Sequence, residues 1–307
     1  MRNYIVATDS SADLTKDEIM ENHIAVLPVR YLDGKVFKEE SVEQGPAYKR
    51  FFDNLRDGKK ARFSTPDQND YGEFFDALIE SGKKNIVYVA SSSKLDTDFK
   101  KAKKAAAESM IKFRSSTILI LDSLSLGPAK GMIALKLAGL SGSISVSEAL
   151  VKGRELVRNT TSFAIIYDLG LISSQENSPV FSAGLNIGVK PVLTLTDKGS
   201  LQIFRRAKSE KTAVMAVLKY AAEKQADKTS FFIYSADNTR NELYAIKMLQ
   251  EKFHGAYVKV GDAGMRNGAY FAPNAIFIGF CAPRIKATPP KPQIKTYKDE
   301  DVNPHGE

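Results

Sequence analysis

Tyr4-Ile5-Val6-Ala7-Thr8-Asp9-Ser10-Ser11 is a short apolar run halted by hydroxyl and carboxylate side chains. It predicts a buried strand that ends in a polar loop. The pattern recurs twice. Asn85 to Ala90 runs into Ser91-Ser92-Ser93-Lys94-Leu95-Asp96-Thr97-Asp98, and Thr117 to Leu121 runs into Asp122-Ser123. Between these runs Tyr48, Phe51, Phe52 and Leu55 share one face of a helix predicted over Pro46 to Leu55. Ser64-Thr65-Pro66-Asp67 offers a cap and a Pro start for a second helix carrying Tyr71, Phe74, Phe75 and Leu78. Further helices are expected from Phe99 to Phe113, over 127–140 and over 146–158, the last capped by Ser145 or Ser147. Ile24 to Leu32 reads as one more strand, turned at Asp33-Gly34. Continuous apolar strands alternating with helices predict an α/β fold with a parallel sheet, placed as an N-terminal domain over 1–158.

After Thr160 the texture changes. Val189 to Thr196 and Leu201 to Arg205, joined by Asp197-Lys198-Gly199, read as an antiparallel hairpin. With strands at Phe163 to Tyr167, 229–235, 256–260 and 275–280 and helices at 210–225 and 238–253, this predicts a C-terminal mixed α/β domain over 159–282. Residues 283–307 hold five of the twelve prolines and little apolar content, so a flexible tail is expected there.

The 307 residues suit two domains, and 43% apolar with 26% charged residues is ordinary for a soluble globular chain. The single cysteine excludes a disulfide framework and a Cys-based zinc site, and Cys281 reads as a core residue. His23, His254 and His305 match no metal motif. No signal-peptide core opens the chain and no apolar run reaches the ~20 residues of a membrane span, so a cytoplasmic protein is expected. The net charge of +8 could favour an anionic membrane surface, and basic residues do not interleave with aromatic ones as nucleic-acid binding requires. The lysines at 100, 101, 103 and 104 read as a solvated helix face.

Three polar strand ends are the natural place for chemistry, since open parallel sheets bind ligands beyond the carboxyl ends of their strands. The same residue types are also favoured as helix caps. Gly127-Pro-Ala-Lys-Gly131 lacks the spacing of a phosphate loop, and no dinucleotide-binding glycine pattern follows a strand. Asp9, Asp96 and Asp122 could hold magnesium in a hydrolase, though no D-x-D-x-T motif follows the first strand.

The opening Thr8-Asp9-Ser10-Ser11-Ala12-Asp13-Leu14 resembles the start of DegV proteins. So do Ser64-Thr65-Pro66, Ser91-Ser92-Ser93-Lys94-Leu95, Leu121-Asp122-Ser123, Asp168-Leu169, Val189-Lys190-Pro191-Val192-Leu193 and the Arg-Arg-Ala-Lys segment at 205–208, in order over residues 4 to 280. The resemblance implies two α/β domains enclosing a long-chain fatty acid, with no catalysis and no cofactor, and a separate fatty acid kinase subunit as partner. It points to Phe63, Ser64, Thr65, Ser92, Asp96 and Thr97 as ligand-binding candidates. The departures from the family fall on the carboxylate site. Where the family has Thr-Ser-x-Pro this chain has Phe63-Ser64-Thr65-Pro66, so Phe63 takes the place of a binding threonine. Where it has Leu-Ser-Gly-Thr this chain has Leu95-Asp96-Thr97-Asp98, so Asp96 takes the place of a binding serine. A Gly-Gly-Arg-Ile segment is replaced around Gln175-Glu176-Asn177-Ser178, and a C-terminal histidine has no counterpart in Gly261 to Pro273. An ionised Asp96 would repel a fatty-acid carboxylate. The ligand head is then neutral or cationic, or it has moved to Ser64, Thr65 or Thr97, or Asp96 only caps its helix and acyl binding is lost.

Overall fold

A computed structural model of the chain describes residues 2–40, 45–172, 188–225 and 228–288. In chain order its first half contains β1 (Ile5–Asp9), α1 (Lys16–Asn22), β2 (Ala25–Leu27), β3 (Arg30–Asp33), β4 (Val36–Glu39) and α2 (Pro46–Arg56). There follow β5 (Phe63–Ser64), α3 (Gln68–Glu80), β6 (Asn85–Ala90), α4 (Asp98–Lys112), β7 (Thr117–Asp122), α5 (Gly127–Gly139) and α6 (Val146–Arg158). The second half contains β8 (Thr160–Ile165), α7 (Leu169–Ile172), β9 (Lys190–Leu195), β10 (Leu201–Ala207), α8 (Glu210–Lys224) and β11 (Ser230–Ser235). It closes with α9 (Thr239–Lys252), β12 (Tyr257–Asp262), α10 (Met265–Phe271) and β13 (Ile276–Cys281).

The first half is a parallel sheet in the order β2-β1-β6-β7. Val6, Val87, Val89 and Leu121 face α5 and α6, whereas Ala7, Ile86, Tyr88 and Ile118 face α3 and α4. Burial on both faces is why these strands read as unbroken apolar runs. The second half is a mixed sheet in the order β10-β9-β8-β13-β11-β12, antiparallel except for β11 with β12. The expected hairpin is β9–β10, paired from Leu201 with Leu195.

Ile24 to Leu32 is not one strand. Pro28 has no N–H to give a ladder, and the chain breaks there. Beyond it Val29 N–H donates to Ser10 Oγ at 2.9 Å, and β3 joins a separate antiparallel sheet, β4-β3-β5.

Side-chain alternation in the mixed sheet explains how the halves meet. Phe163, Ile165, Val192, Ile233, Ile278 and Phe280 pack beneath α8 and α9. The alternate residues Ala164, Leu193, Leu195, Phe232, Tyr234 and Phe277 face Tyr48, Phe51, Phe52 and Leu55 of α2 and Leu126 at the head of α5. The period-two pattern thus buries both faces, one of them against the first half of the chain. Gly268 of α10 allows a close approach in this layer, because a Cβ there would lie 2.3 Å from the Phe52 ring.

Polar ties close the junction. Ser92 Oγ donates to Gly199 O at 2.8 Å, and Tyr48 OH donates to Ala263 O at 2.9 Å. Gly199 needs its glycine twice over. Its φ is +78°, and a Cβ would lie 2.4 Å from Ser92 Oγ.

The expected flexible tail does not begin at Pro283. Arg284 is buried and donates to the carbonyls of Val157, Leu124 and Ser123 and to Ser125 Oγ. Its pKa is lowered to about 10, because burial outweighs Asp122 and Asp197. Low apolar content concealed this anchor, which works through one cation and backbone carbonyls. Residues 289–307 lie outside the described residues. Arg284→Ala leaves buried acceptors unpaired and should lower the unfolding free energy by about 2–4 kcal/mol. Urea denaturation checks this, and a loss under ~0.5 kcal/mol would contradict the anchor.

Candidate functional site

In a parallel sheet the crevice opens where neighbouring strands connect in opposite directions. Here that point lies between β1 and β6, which end at Asp9 and at Ala90 followed by Ser91. Lys130 of α5 fills it. Its Nζ lies 2.8 Å from both Asp9 carboxylate oxygens, 2.9 Å from Ser11 Oγ and 3.1 Å from Ser91 Oγ, and the Lys130 side chain is 0% exposed. Tyr88 OH also donates to Asp9, at 3.2 Å. Burial alone would raise the Asp9 pKa. Lys130, then Arg266 and hydrogen bonds from Lys130 and Ser11, overcome it and hold the group at about 2.

Next to this pair lies a second cation. Arg266 of α10 is 2% exposed, with Nη2 at 3.2 Å from Asp96 Oδ2, Nη1 at 3.3 Å from Asp98 Oδ2, and Nε donating to Tyr270 OH at 3.3 Å. Burial opposes its charge, yet Tyr270, then Asp98 and Asp96, keep its pKa well above the ordinary value. Asp96 Oδ1 accepts from the Asp98 N–H at 2.9 Å, so the residue caps α4 with one oxygen and meets Arg266 with the other. Burial, with Asp98 beside it and against Arg266, pushes the Asp96 pKa up to about 6. Lys101 is not merely part of a solvated face. It reaches 3.5 Å from Asp98 Oδ1 and donates to Pro66 O at 3.1 Å and Thr65 Oγ1 at 3.5 Å.

A buried carboxylate pair flanks the cluster. Glu40 accepts from Arg266 N–H at 3.0 Å and from Ser10 Oγ at 3.0 Å, and Asp13 accepts from Asn267 Nδ2 at 2.7 Å. Burial raises the pKa of both, and for Asp13 the neighbouring Glu40 adds to it.

The six candidates separate. Asp96 is in the cluster, and Thr65 borders it through Lys101. Phe63 packs into the layer between the halves, its ring 6.0 Å from that of Phe51. Ser64 and Thr97 are exposed, and Thr97 makes no side-chain cap bond to α4. The Ser92 hydroxyl is committed to Gly199. The three carboxylates of the hydrolase reading hold separate donors: Lys130 for Asp9, Arg266 for Asp96, and the N–H groups of Ser93 and Leu124 for Asp122. Among the described residues no three His, Cys, Asp or Glu side chains are grouped to hold a metal ion. The segment around Gln175 to Ser178 lies outside the described residues.

Sequence reading missed Lys130, Glu40 and Arg266. Lys130 sat in a glycine-flanked motif set aside for its spacing. Arg266 sat in the very segment noted only for its lost histidine, and α10 itself opens at Gly264 without a side-chain cap.

A narrow apolar cleft lies in the layer between the halves, lined by Leu126, Ala164, Leu193, Leu195, Leu201 and Phe271 among others. It has about 10 Å³ open to the centre of a water-sized sphere, room for roughly one water. Tyr270, Leu95 and Phe63 join the same apolar layer, which brings Arg266 and Asp96 to its polar rim. A wider hollow of about 630 Å³ lies at the opposite end of the parallel sheet, by Arg2, Tyr4, His23 and Lys84, away from the cluster.

The pattern of the DegV family, described as uncharacterised protein, matches residues 4–282. A DegV domain-containing protein of Clostridium perfringens is 20% identical over 285 residues, covering 91% of this chain and 98% of the relative. A Thermus thermophilus structure, described as fatty acid binding of a DegV family protein, superposes with a TM-score of 0.78 at 20% identity, over 92% of this chain and all (100%) of that one. The Streptococcus pneumoniae fatty acid kinase B3 protein, loaded with linoleic acid, superposes with a TM-score of 0.75 at 15% identity, over 91% of this chain and 99% of that one.

A Lys130→Met variant leaves Asp9 buried without its cation and should lose about 3–5 kcal/mol of stability at neutral pH. Asp9 has its folded pKa near 2 against an ordinary 3.8. Its contribution is therefore full above about pH 4 and lost as pH falls through about 2. Without Lys130, burial raises the Asp9 pKa of the variant, so the gap between wild type and variant should narrow from above about pH 4 down to about 2 in denaturant titrations, and a pH-independent gap would contradict the pairing.

Proposed function

Because the chain belongs to the DegV family, we propose that it is a non-catalytic carrier that holds one long-chain acyl lipid in the layer between its two sheets. The observation that carries this reading is the apolar cleft in the layer between the halves, with the Arg266–Asp96 cluster at the margin of that layer. That layout suits an amphiphile, with a tail among Leu193, Leu195, Leu201 and Phe271 and a head towards Asp96 and Arg266. A ligand of this size needs roughly 300–1,000 Å³. Entry therefore requires the lining side chains to part, and half-buried Leu201 on the edge strand β10 is the one nearest the outside.

The partner class we propose is a fatty acid kinase catalytic subunit, in keeping with the Streptococcus pneumoniae neighbour. Collection of the lipid at an anionic membrane surface fits the net charge of +8. No helix among the described residues is long and apolar enough to cross a membrane.

Native mass spectrometry of protein purified from cells should show one added lipid mass. A Leu201→Trp variant, filling the cleft from its half-buried edge, should lose that mass while its Tm stays within about 5 °C. Protein that carries no lipid and takes none up from added oleate or oleyl alcohol would overturn the reading.

A further inference from the structure

The polar rim of the apolar layer is electrically closed. Each buried cation there already has a carboxylate: Lys130 has Asp9, and Arg266 has Asp96 and Asp98. Lys101, at 3.5 Å from Asp98, brings the sum to three cations against three carboxylates. An anionic head arriving at this rim would add a fourth negative charge in a buried setting, where desolvation and like-charge repulsion cost several kcal/mol.

Glu40 and Asp13, also buried beside Arg266, add acceptors and no cation. An uncharged head meets no such penalty. It can donate to the outer edge of Asp96, whose side chain is 15% exposed and is the cluster member with most access to solvent apart from Lys101.

We propose that Asp96 sets the head-group selectivity of this chain: while its carboxylate occupies Arg266, the site takes an acyl lipid with an uncharged head that can donate a hydrogen bond, an alcohol or an N–H amide, and turns away the free carboxylate. This rests on the acyl-lipid reading above and specifies its ligand class.

The groups that act on Asp96 are Asp98 from α4, Arg266 from α10, Asp9 from β1 and Tyr71 from α3, with Lys101 on Asp98 and Tyr270 on Arg266 behind them. Two of them are carboxylates, so protonation is the least costly way to free Arg266. Asp96, held near 6, is the member that takes the proton.

The test compares radiolabelled oleyl alcohol with radiolabelled oleate, both delivered from cyclodextrin to lipid-stripped full-length protein. At about pH 8 the wild type should hold the alcohol at least about tenfold more tightly than oleate. Asp96→Asn keeps an oxygen to cap α4 while removing the charge. It should raise oleate affinity about tenfold or more, so that the preference for the alcohol shrinks or reverses. Asp96→Ser should do the same. Lowering the pH to about 5 should raise oleate affinity in the wild type and not in Asp96→Asn.

Equal binding of the two lipids by the wild type, or oleate affinity unmoved in both variants, would overturn the inference and leave the carrier reading standing. If no protein binds either lipid, the carrier reading falls and the inference falls with it.

Discussion

A guanidinium buried to 2% exposure is the constraint around which the junction is organised. Arg266 comes from the second half of the chain, while its counter-charges Asp96 and Asp98 stand at the start of α4 in the first half. Removing an ion from water costs several kcal/mol even after relaxation, so such a side chain persists only where its partners are fixed in advance. The structure fixes them by local means. The α4 N-terminus places Asp98, Asp96 caps that helix, and the peptide N–H of Arg266 is itself tied to Glu40. The two halves cannot slide past one another without stranding a charge.

The apolar layer beside it supplies the attraction that the ion cluster does not. Burial of two-sided sheets on both sides of α2 and α5 removes large aromatic surfaces from water. Ion pairs contribute little net stability in such settings, yet each is costly to break. Hydrophobic area therefore holds the halves together, and the buried charges select a single alignment. The Ser92–Gly199 contact works in the same sense, since it forms only when the hairpin turn is seated against the end of β6.

Most of the regular structure was legible because it obeys local rules. The α6 start at Ser145 with Glu148 forms a capping box, and α3 starts in the expected segment, though capped by Asp67 with Pro66 before the cap and not as its first residue. The parallel and mixed sheets follow from continuous and alternating apolar runs. What escaped reading had no local signal. α1 has no buried residue to give it an apolar stripe, and α10 is seven residues long without a side-chain cap. Arg284 is held by carbonyls supplied from 123–124 and 157. In the candidate site Asp96 was found through its departure from a familiar pattern. Its partner Arg266 is 170 positions away, and a pair that distant becomes visible only when the fold closes. Phe63, chosen by the same comparison, packs as core because its strand pairs with Tyr31 and its ring meets Phe51.

Replacing a hydroxyl by a carboxylate at the start of α4 changes more than size. A serine there would offer a proton and leave Arg266 with Asp98 alone, so that one edge of the guanidinium would be open to an anion from a ligand. Asp96 supplies that anion from within the chain, with a helix N–H on one oxygen and a guanidinium on the other. A tethered carboxylate pays none of the translational cost of an arriving one. Its effective concentration at Arg266 exceeds any that a sparingly soluble lipid reaches in water. On the selectivity proposed above, competition between the two is decided by the covalent chain, and one residue would change the chemical class of head while the apolar layer stays intact.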